Sequence, residues 1–228
     1  GYSSAASDVY KRQSLSMSNN VRRTKNDKEL LRKQIVDAAS RAFTKSGIRS
    51  VRMDDIAFSL SMSKRTLYEL FHDKEQLLME VIRMHRQEMN EYIIEIASKA
   101  DNALEVIFAF YRRKSKELYE LNPQFLRDLR KYPKVLEFIR EEQRSSDAAA
   151  LNHFNEGVKQ GIFREDINFE IINQAMSMQL DLIIHSDLSE NYPLSDIYRE
   201  ITFLHMRGIT TEKGRKMVDA FLCDVREK

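Results

Sequence analysis

Residues 47–78 read Gly-Ile-Arg-Ser-Val-Arg-Met-Asp-Asp-Ile-Ala-Phe-Ser-Leu-Ser-Met-Ser-Lys-Arg-Thr-Leu-Tyr-Glu-Leu-Phe-His-Asp-Lys-Glu-Gln-Leu-Leu. The apolar residues of this stretch recur at helical spacing in two short groups, with a polar break at Ser61-Met62 between them. Ser63 is placed to cap the second group, and Asp73 is placed to cap a longer helix that follows. The stretch therefore predicts a helix-turn-helix, a motif whose second helix enters the major groove of DNA.

The second short helix is predicted to have one buried and one exposed face. Leu67, Leu70 and Phe71 share the inward side. The residues left toward solvent carry donors that suit phosphates and base edges, and they are Lys64, Arg65, Thr66 and Tyr68.

Helices are predicted along almost the whole chain, since only three prolines and six glycines interrupt it. One helix should cover residues 27–45, with Gly47 as its stop. Another should run from 74 to about 98, roughly 37 Å at ~1.5 Å per residue. Further helices are expected near 102–120, 124–131, 134–160, 168–186, 195–207 and 211–225, with breaks at Pro123, Pro133, Gly161, Pro193 and Gly208. The fold class is thus all-α, with a helix-turn-helix head over residues 21–73 and a helical body over residues 74–228.

The charge is unevenly distributed. The 228 residues carry a net charge of +2, but residues 21–74 carry +6 and residues 75–228 carry −5. A basic head suits an anionic partner such as DNA, although a solvated basic face is the plainer interpretation of charge alone. The single Cys223 cannot form an internal disulfide, and neither a signal peptide nor a membrane-spanning run is visible, so we expect a cytoplasmic protein without membrane contact. We expect residues 1–20 to be a disordered tail, with Met17 as the natural start.

The head resembles the tetracycline-repressor (TetR) family of bacterial transcription regulators. The matching residues are in order and in phase with the predicted helices: Ile56-Ala57, Ser63-Lys64, Thr66-Leu67-Tyr68, Phe71, Lys74-Glu75 and Leu77-Leu78. They cover roughly residues 27–80, about a quarter of the chain. The resemblance implies a sequence-specific regulator that acts as a ligand-responsive repressor and binds a palindromic double-stranded operator as a homodimer. An activator of the same fold is the alternative.

Three residues depart from the family's usual pattern. Ser61 stands where the turn often has glycine, so the turn must form without glycine's conformational freedom. Arg52 stands where Thr or Ser often begins the helix; it cannot cap, although it could reach a phosphate. Arg65 adds a bulky donor at a position that is often small. These departures bear on the operator sequence rather than on the fold.

The resemblance also implies roles for individual residues. It places Lys64, Arg65 and Thr66 near base edges, and Tyr68 and Lys74 on phosphates. Arginine can bind guanine O6 and N7 together, whereas lysine and tyrosine on phosphates fix the register. The basic segment 22–28 could be a DNA-contacting arm or a solvated tail. The predicted DNA-binding residues are Arg22, Arg23, Arg52, Met53, Ser63, Lys64, Arg65, Thr66, Tyr68, His72 and Lys74.

For the body, the resemblance implies a small-molecule cavity and a dimer interface. The effector cavity would lie beside the long helix, with ordinary core packing as the alternative for each of its candidate residues: His85, Met89, Phe108, Tyr111, Phe125, Met176 and Gln179. The interface would be built by the helices near 168–186 and 195–225, where the alternative is central core. Its candidate residues are Ile171, Ala175, Leu182, Phe203 and Met206. No cofactor, metal or catalytic residue is predicted; the effector is unidentified.

Two other classes of protein compete with this interpretation. A di-metal carboxylate enzyme would need two Glu-x-x-His elements on a helical bundle, and the chain has one, at Glu69 to His72, inside the helix-turn-helix. A protein-interaction module that has lost DNA binding would share the fold. The basic excess of the head argues against that module, and a steep salt dependence of binding would distinguish the two.

Overall fold

The computed structural model describes residues 26–226, and within that range the chain is helical with one isolated bridge, between Phe163 and Thr210. In the head, helix α1 covers 26–46, α2 covers Met53–Ser59 and α3 covers Lys64–Leu70. Helix α4 (Lys74–Ala97) leaves the head and enters the body. The body continues with α5 (Ala103–Glu120), α6 (Pro123–Leu129), α7 (Pro133–Ser145), α8 (Asp147–Lys159), α9 (Phe169–Ser177), α10 (Gln179–His185), α11 (Leu188–Asn191), α12 (Leu194–Ile209) and α13 (Glu212–Arg226). The predictions for residues 1–20, Arg22 and Arg23 lie outside the described residues.

The helix ends follow local signals that are readable in the sequence. Gly47 follows α1 with φ +79°, a left-handed conformation that favours glycine. The Ser63 side chain accepts a hydrogen bond from the Thr66 amide, and Asp73 accepts from the Gln76 amide. Asn122 caps α6 in the same way, through the Gln124 amide. The predicted stop at Gly47 and the predicted caps at Ser63 and Asp73 are confirmed.

Two helices predicted as continuous are broken, and this part of the prediction is wrong. The predicted helix 134–160 is divided at Ser146, where the Ser145 and Ser146 hydroxyls both donate to the Glu142 carbonyl. The predicted helix 168–186 is divided at Met178, directly after Ser177, whose hydroxyl donates to the Gln174 carbonyl. Serine hydroxyls that bind carbonyls of the preceding turn compete with the helical ladder and bend it. Conversely, α12 continues through the predicted break at Gly208 to Ile209.

Buried apolar residues form two clusters. The first, here called the shared core, joins the head to α4, α6, α7, α10 and the start of α12. Phe43 and Phe71 of the head belong to it together with Leu129 of α6 and Ile184 of α10. The second, the body core, joins α5, α8, α12 and α13 with the segment around Phe163. The packing of the shared core therefore crosses the predicted boundary between head and body at residues 73 and 74. That boundary stays a prediction.

Candidate nucleic-acid interface

Helix α3 presents a polar face on an apolar base. Leu67 is fully buried and Leu70 nearly so, which fixes the rotation of the helix against the head. On the opposite side the Lys64 and Arg65 side chains are 67% and 88% exposed. Tyr68 is also exposed. The outward set that the sequence predicts for this helix is therefore available to a partner, with Thr66 half-buried beside the Ser63 cap.

The turn before α3 closes without glycine. Ser61 has φ +52°, a conformation that costs a non-glycine residue about 1–2 kcal/mol. Backbone hydrogen bonds hold it, from the Ser61 amide to the Phe58 carbonyl (3.0 Å) and from the Met62 amide to the Ala57 carbonyl (3.0 Å). The departure at Ser61 thus leaves the turn intact at the expense of some backbone strain.

The two basic residues of α3 are paired with carboxylates. Lys64 Nζ lies 2.5 Å from Asp54 Oδ2, and Arg65 Nε lies 2.8 Å from Glu69 Oε1. The hydrogen bond to Asp54 and its negative charge raise the pKa of Lys64, and Glu69 raises that of Arg65 in the same way. Ion pairs this exposed contribute little to stability, so phosphates or base edges can replace the carboxylates.

Lys74 points into the protein rather than toward solvent. Its ammonium donates to the Ile48 and Val51 carbonyls, both at 3.0 Å. Burial lowers the pKa of Lys74, and the negative charge of Asp128 opposes that shift. Two of the three ammonium protons thus hold the loop between α1 and α2, and the phosphate contact of Lys74 stays a prediction.

The other predicted DNA contacts divide into exposed and buried residues. Arg52 is exposed before α2, and the Asp55 carboxylate accepts from its amide (2.9 Å), so α2 is capped in spite of the departure there. His72 is exposed, and its amide donates to Gln76 Oε1. Met53 is buried in the shared core, and we withdraw it as a DNA contact.

Arg32 on α1 is a residue that the sequence analysis missed. Its guanidinium donates to the Leu70 carbonyl (2.9 Å) and lies 4.5 Å from the centre of the Phe71 ring. A cation suits the negative end of a helix. Arg32 therefore holds the C-terminal end of α3, although nothing in the local spacing connects two residues 38 positions apart.

The predicted effector residues do not converge on one site. Phe108 stacks on Phe221 with ring centres 4.0 Å apart, and Tyr111 packs in the same body core. Phe125 belongs to the shared core instead. Gln179 reaches His205 at 3.5 Å, and Met176 is half-buried on α9. His85 and Met89 share α4, and Phe108 and Tyr111 share α5.

His85 belongs to a charged cluster between α4 and α5. Its Nε2 lies 3.0 Å from Glu117 Oε2, and Arg113 and Lys114 lie 3.3 and 3.5 Å from the same carboxylate. Burial opposes ionisation of Glu117, but the His85 hydrogen bond and the Lys114 charge outweigh it and hold the pKa at about 2. The hydrogen bond between His85 and Glu117 therefore joins the long helix α4 to α5.

The predicted dimer residues also divide. Ile171 and Leu182 are 63% and 54% exposed, and Ala175 is exposed between them. Phe203 and Met206 are buried in the body core, so the interface prediction is wrong for these two residues. Periodicity marked α12 as apolar, but the partner on that side is α5 and α13 of the same chain.

Residues 26–226 carry neither a metal-binding cluster nor a membrane-spanning helix. No group of three or more His, Cys, Asp or Glu side chains in this range could hold a metal ion. Nor does this range contain a helix with the length and apolar character needed to cross a membrane.

Comparison with known proteins agrees with the geometry. Residues 35–81 match the family model described as bacterial regulatory proteins, tetR family. The HTH-type transcriptional regulator YhgD of Bacillus subtilis is 30% identical over 90 residues, 40% of this chain and 44% of that protein. The chain thus aligns with less than half the length of this relative.

Solved structures extend the similarity of fold to the body. A TetR-family regulator from Marinobacter aquaeolei VT8 superposes with a TM-score of 0.62 at 21% identity, over 83% of this chain and 95% of that one. A transcriptional regulator from Saccharomonospora viridis, solved with choline, superposes with a TM-score of 0.63 at 19% identity, over 81% and 100%. The helix-turn-helix thus matches the tetR family model over residues 35–81, and the all-helical body behind it has the fold of solved TetR-family regulators.

Proposed function

We propose that the chain is a sequence-specific regulator that binds a palindromic DNA operator as a homodimer and represses transcription in the cytoplasm. The observation that carries the proposal is the exposed face of α3. Lys64, Arg65 and Tyr68 lie on this face, opposite the buried Leu67 that anchors the helix. Arginine and lysine supply the donors that guanine edges and phosphates accept.

The homodimer is proposed from an apolar stripe on α9 and α10. Ile171, Ala175, Met178 and Leu182 follow one another at spacings of four, three and four residues, and all four are exposed. Such spacing places them on one face, even across the bend at Met178. Leu204 on α12 is 74% exposed as well. Exposed apolar residues grouped in this way are typical of protein interfaces.

The proposed effector is a small molecule that binds the body beside α4. The matched family model supports this proposal, and one regulator of similar fold was solved with choline. The effector of this chain is unidentified. His85 and Met89 are the candidates on α4. An effector that prefers one orientation of α4 would change operator affinity by about 5- to 150-fold.

Selection from a pool of random DNA duplexes tests the proposal. The selected duplex is titrated by fluorescence anisotropy at two salt concentrations, with a scrambled duplex as competitor. We expect competitor-resistant binding that weakens steeply with salt, by a log-log slope of about −0.9 per phosphate contact. Failure to enrich any duplex would refute the proposal.

Arg65→Ala should abolish the preference for the selected duplex. Arg164→Ala is the matched control, because Arg164 is also exposed and paired, with Asp166 at 2.6 Å, but lies in the body. Equal losses in the two variants would mean that α3 does not read the DNA.

A further inference from the structure

Helix α6 is attached to the head by a set of polar contacts, here called the α6 latch and formed by Asn122, Gln124 and Asp128. Asp128 is 1% exposed, and its carboxylate accepts hydrogen bonds from the Arg49 amide and from the Gln124 side chain, both at 2.7 Å. The Asn122 side chain donates to the Lys45 carbonyl at 3.1 Å. The latch therefore grips the end of α1 and the loop that leads to α2.

The approach of α6 to the head is as close as a glycine permits. A Cβ at Gly47 would lie 3.0 Å from Gln124 Cγ and 3.1 Å from Asp128 Oδ2. The Asn122 amide also donates to the Thr44 carbonyl at 2.9 Å. Backbone and side-chain contacts thus hold α6 and the head in one relative arrangement.

The buried Asp128 carboxylate fixes the orientation of the loop after α1 as well as its contact with α6. A buried charged group is tolerated only when its hydrogen bonds are made. The Arg49 amide and the Gln124 amide approach Asp128 through different oxygens, so a rotation of the loop would break one bond. An apolar residue at position 128 could fill the same space, but it would let α6 slide against the loop after α1.

The other end of α6 reaches the helix that carries the proposed dimer stripe. The Arg130 guanidinium, directly after α6, donates to the Ile184 carbonyl and to the Ser186 carbonyl (3.3 Å) at the end of α10. Leu126 and Ile183 both belong to the shared core. Leu182, on the outer side of α10, is exposed. Helix α6 thus spans the distance from the head to the dimer face.

We propose that Asp128 is a positioning residue that sets the spacing between the two reading helices of the dimer. One connection through α4 leaves the head free to rotate about that helix, whereas a second attachment through α6 fixes its orientation. The inference rests on the proposed function, since spacing has meaning only for a dimer on DNA. It assigns to a buried carboxylate in the body a part of operator specificity.

The test uses the duplex that the wild-type chain selects, with one base pair inserted at or removed from its centre. Each base pair moves the half-sites by about 3.4 Å and turns them by about 35°. We expect the wild type to lose affinity on both altered duplexes. Asp128→Ala should reduce that penalty by about 5-fold or more, within the usual range of coupling between sites. Binding of Asp128→Ala to a single half-site should remain at the wild-type level.

Variants separate positioning from simple loss of structure. Asp128→Asn keeps an oxygen for the Arg49 amide and should restore the wild-type penalty. Asn122→Asp keeps the α6 cap but loses the donor to Lys45, so it should weaken the penalty without emptying the core. Asp166→Ala removes an exposed pair outside the latch and should behave as wild type. Amide hydrogen exchange at Arg49 should accelerate in Asp128→Ala alone.

The outcomes distinguish the two proposals. If the wild type selects no duplex, the proposed function fails and this inference fails with it. If the wild type binds its operator and all variants show the same spacing penalty, the inference alone is overturned. Loss of half-site binding in Asp128→Ala at full helix content would also overturn it, because the residue would then act on DNA contact rather than on spacing.

Discussion

Replacing Gly47 with alanine measures how firmly α6 is held against the head. Gly47 and Gly161 form a matched pair, because each follows a helix and their φ angles are +79° and +68°. A Cβ at Gly161 would meet no atom within 4 Å. At Gly47 it would press on Gln124 and Asp128. The difference between the two variants therefore isolates the contact with α6 from the cost of the backbone conformation.

The expected magnitudes follow from these distances. The left-handed conformation costs a residue with a Cβ about 1–2 kcal/mol, which is the full expected effect of Gly161→Ala. Gly47→Ala adds contacts at 3.0–3.1 Å, from which neighbours must retreat by a few tenths of an ångström. Overpacking of this kind costs about 1–3 kcal/mol. Because two of the three close atoms belong to the half-buried Gln124, whose side chain can move, we expect an excess near the lower limit, about 1 kcal/mol.

Urea unfolding followed by circular dichroism gives both free energies. An excess of about 1 kcal/mol corresponds to a difference of about 2–4 °C in Tm for a chain of this size. Gly47→Ala should also share the relaxed spacing of Asp128→Ala on DNA, whereas Gly161→Ala should not. Equal destabilisation by the two substitutions would refute the reasoning, since α6 would then give way freely.

Three further predictions concern charge and association. The pKa of Glu117 is about 2 in the folded chain against 4.5 as its ordinary value, so its stabilisation is complete above about pH 5 and is lost as the pH falls. Glu117→Gln should therefore flatten the acid decline of the unfolding free energy, by at most about 3 kcal/mol before solvent screening of the part-exposed side chain, as measured by urea titrations between about pH 5 and pH 2. Leu182→Asp should shift sedimentation toward the monomer, whereas Ile94→Asp, at another exposed apolar site, on α4, should not; a dimer unaffected by both would exclude the stripe. Lys64→Ala should weaken binding to the selected duplex more than binding to the scrambled duplex, because Lys64 is placed near base edges; equal losses on the two duplexes, with a log-log salt slope reduced by about 0.9, would place Lys64 on a phosphate instead.

Local signals in the sequence predicted the head well. The Ser63 and Asp73 caps and the Gly47 stop depend on residues within three or four positions, and all three are confirmed. The inward face of α3 follows from helical spacing in the same way. Such features need no knowledge of the rest of the fold.

The errors have a common physical cause. Helical spacing places Phe203 on the apolar side of α12. It does not show whether α5 of the same chain or a second subunit covers that side. The hydrogen bonds from Lys74 to the Ile48 and Val51 carbonyls were not predicted either, because these acceptors lie in a loop 23 to 26 residues away. Backbone acceptors leave no mark in the sequence, so long-range pairings of this kind could not be predicted.

The same limit explains why the latch was not foreseen and why it matters. Helical periodicity suggested a head and a body joined by one long helix, in which α4 alone would transmit any change. The shared core and the bond from Arg49 to Asp128 add a second connection beside it. Two connections at different points resist rotation as well as bending. In the proposed dimer, α6 as well as α4 would therefore have to shift before the reading helices leave operator spacing.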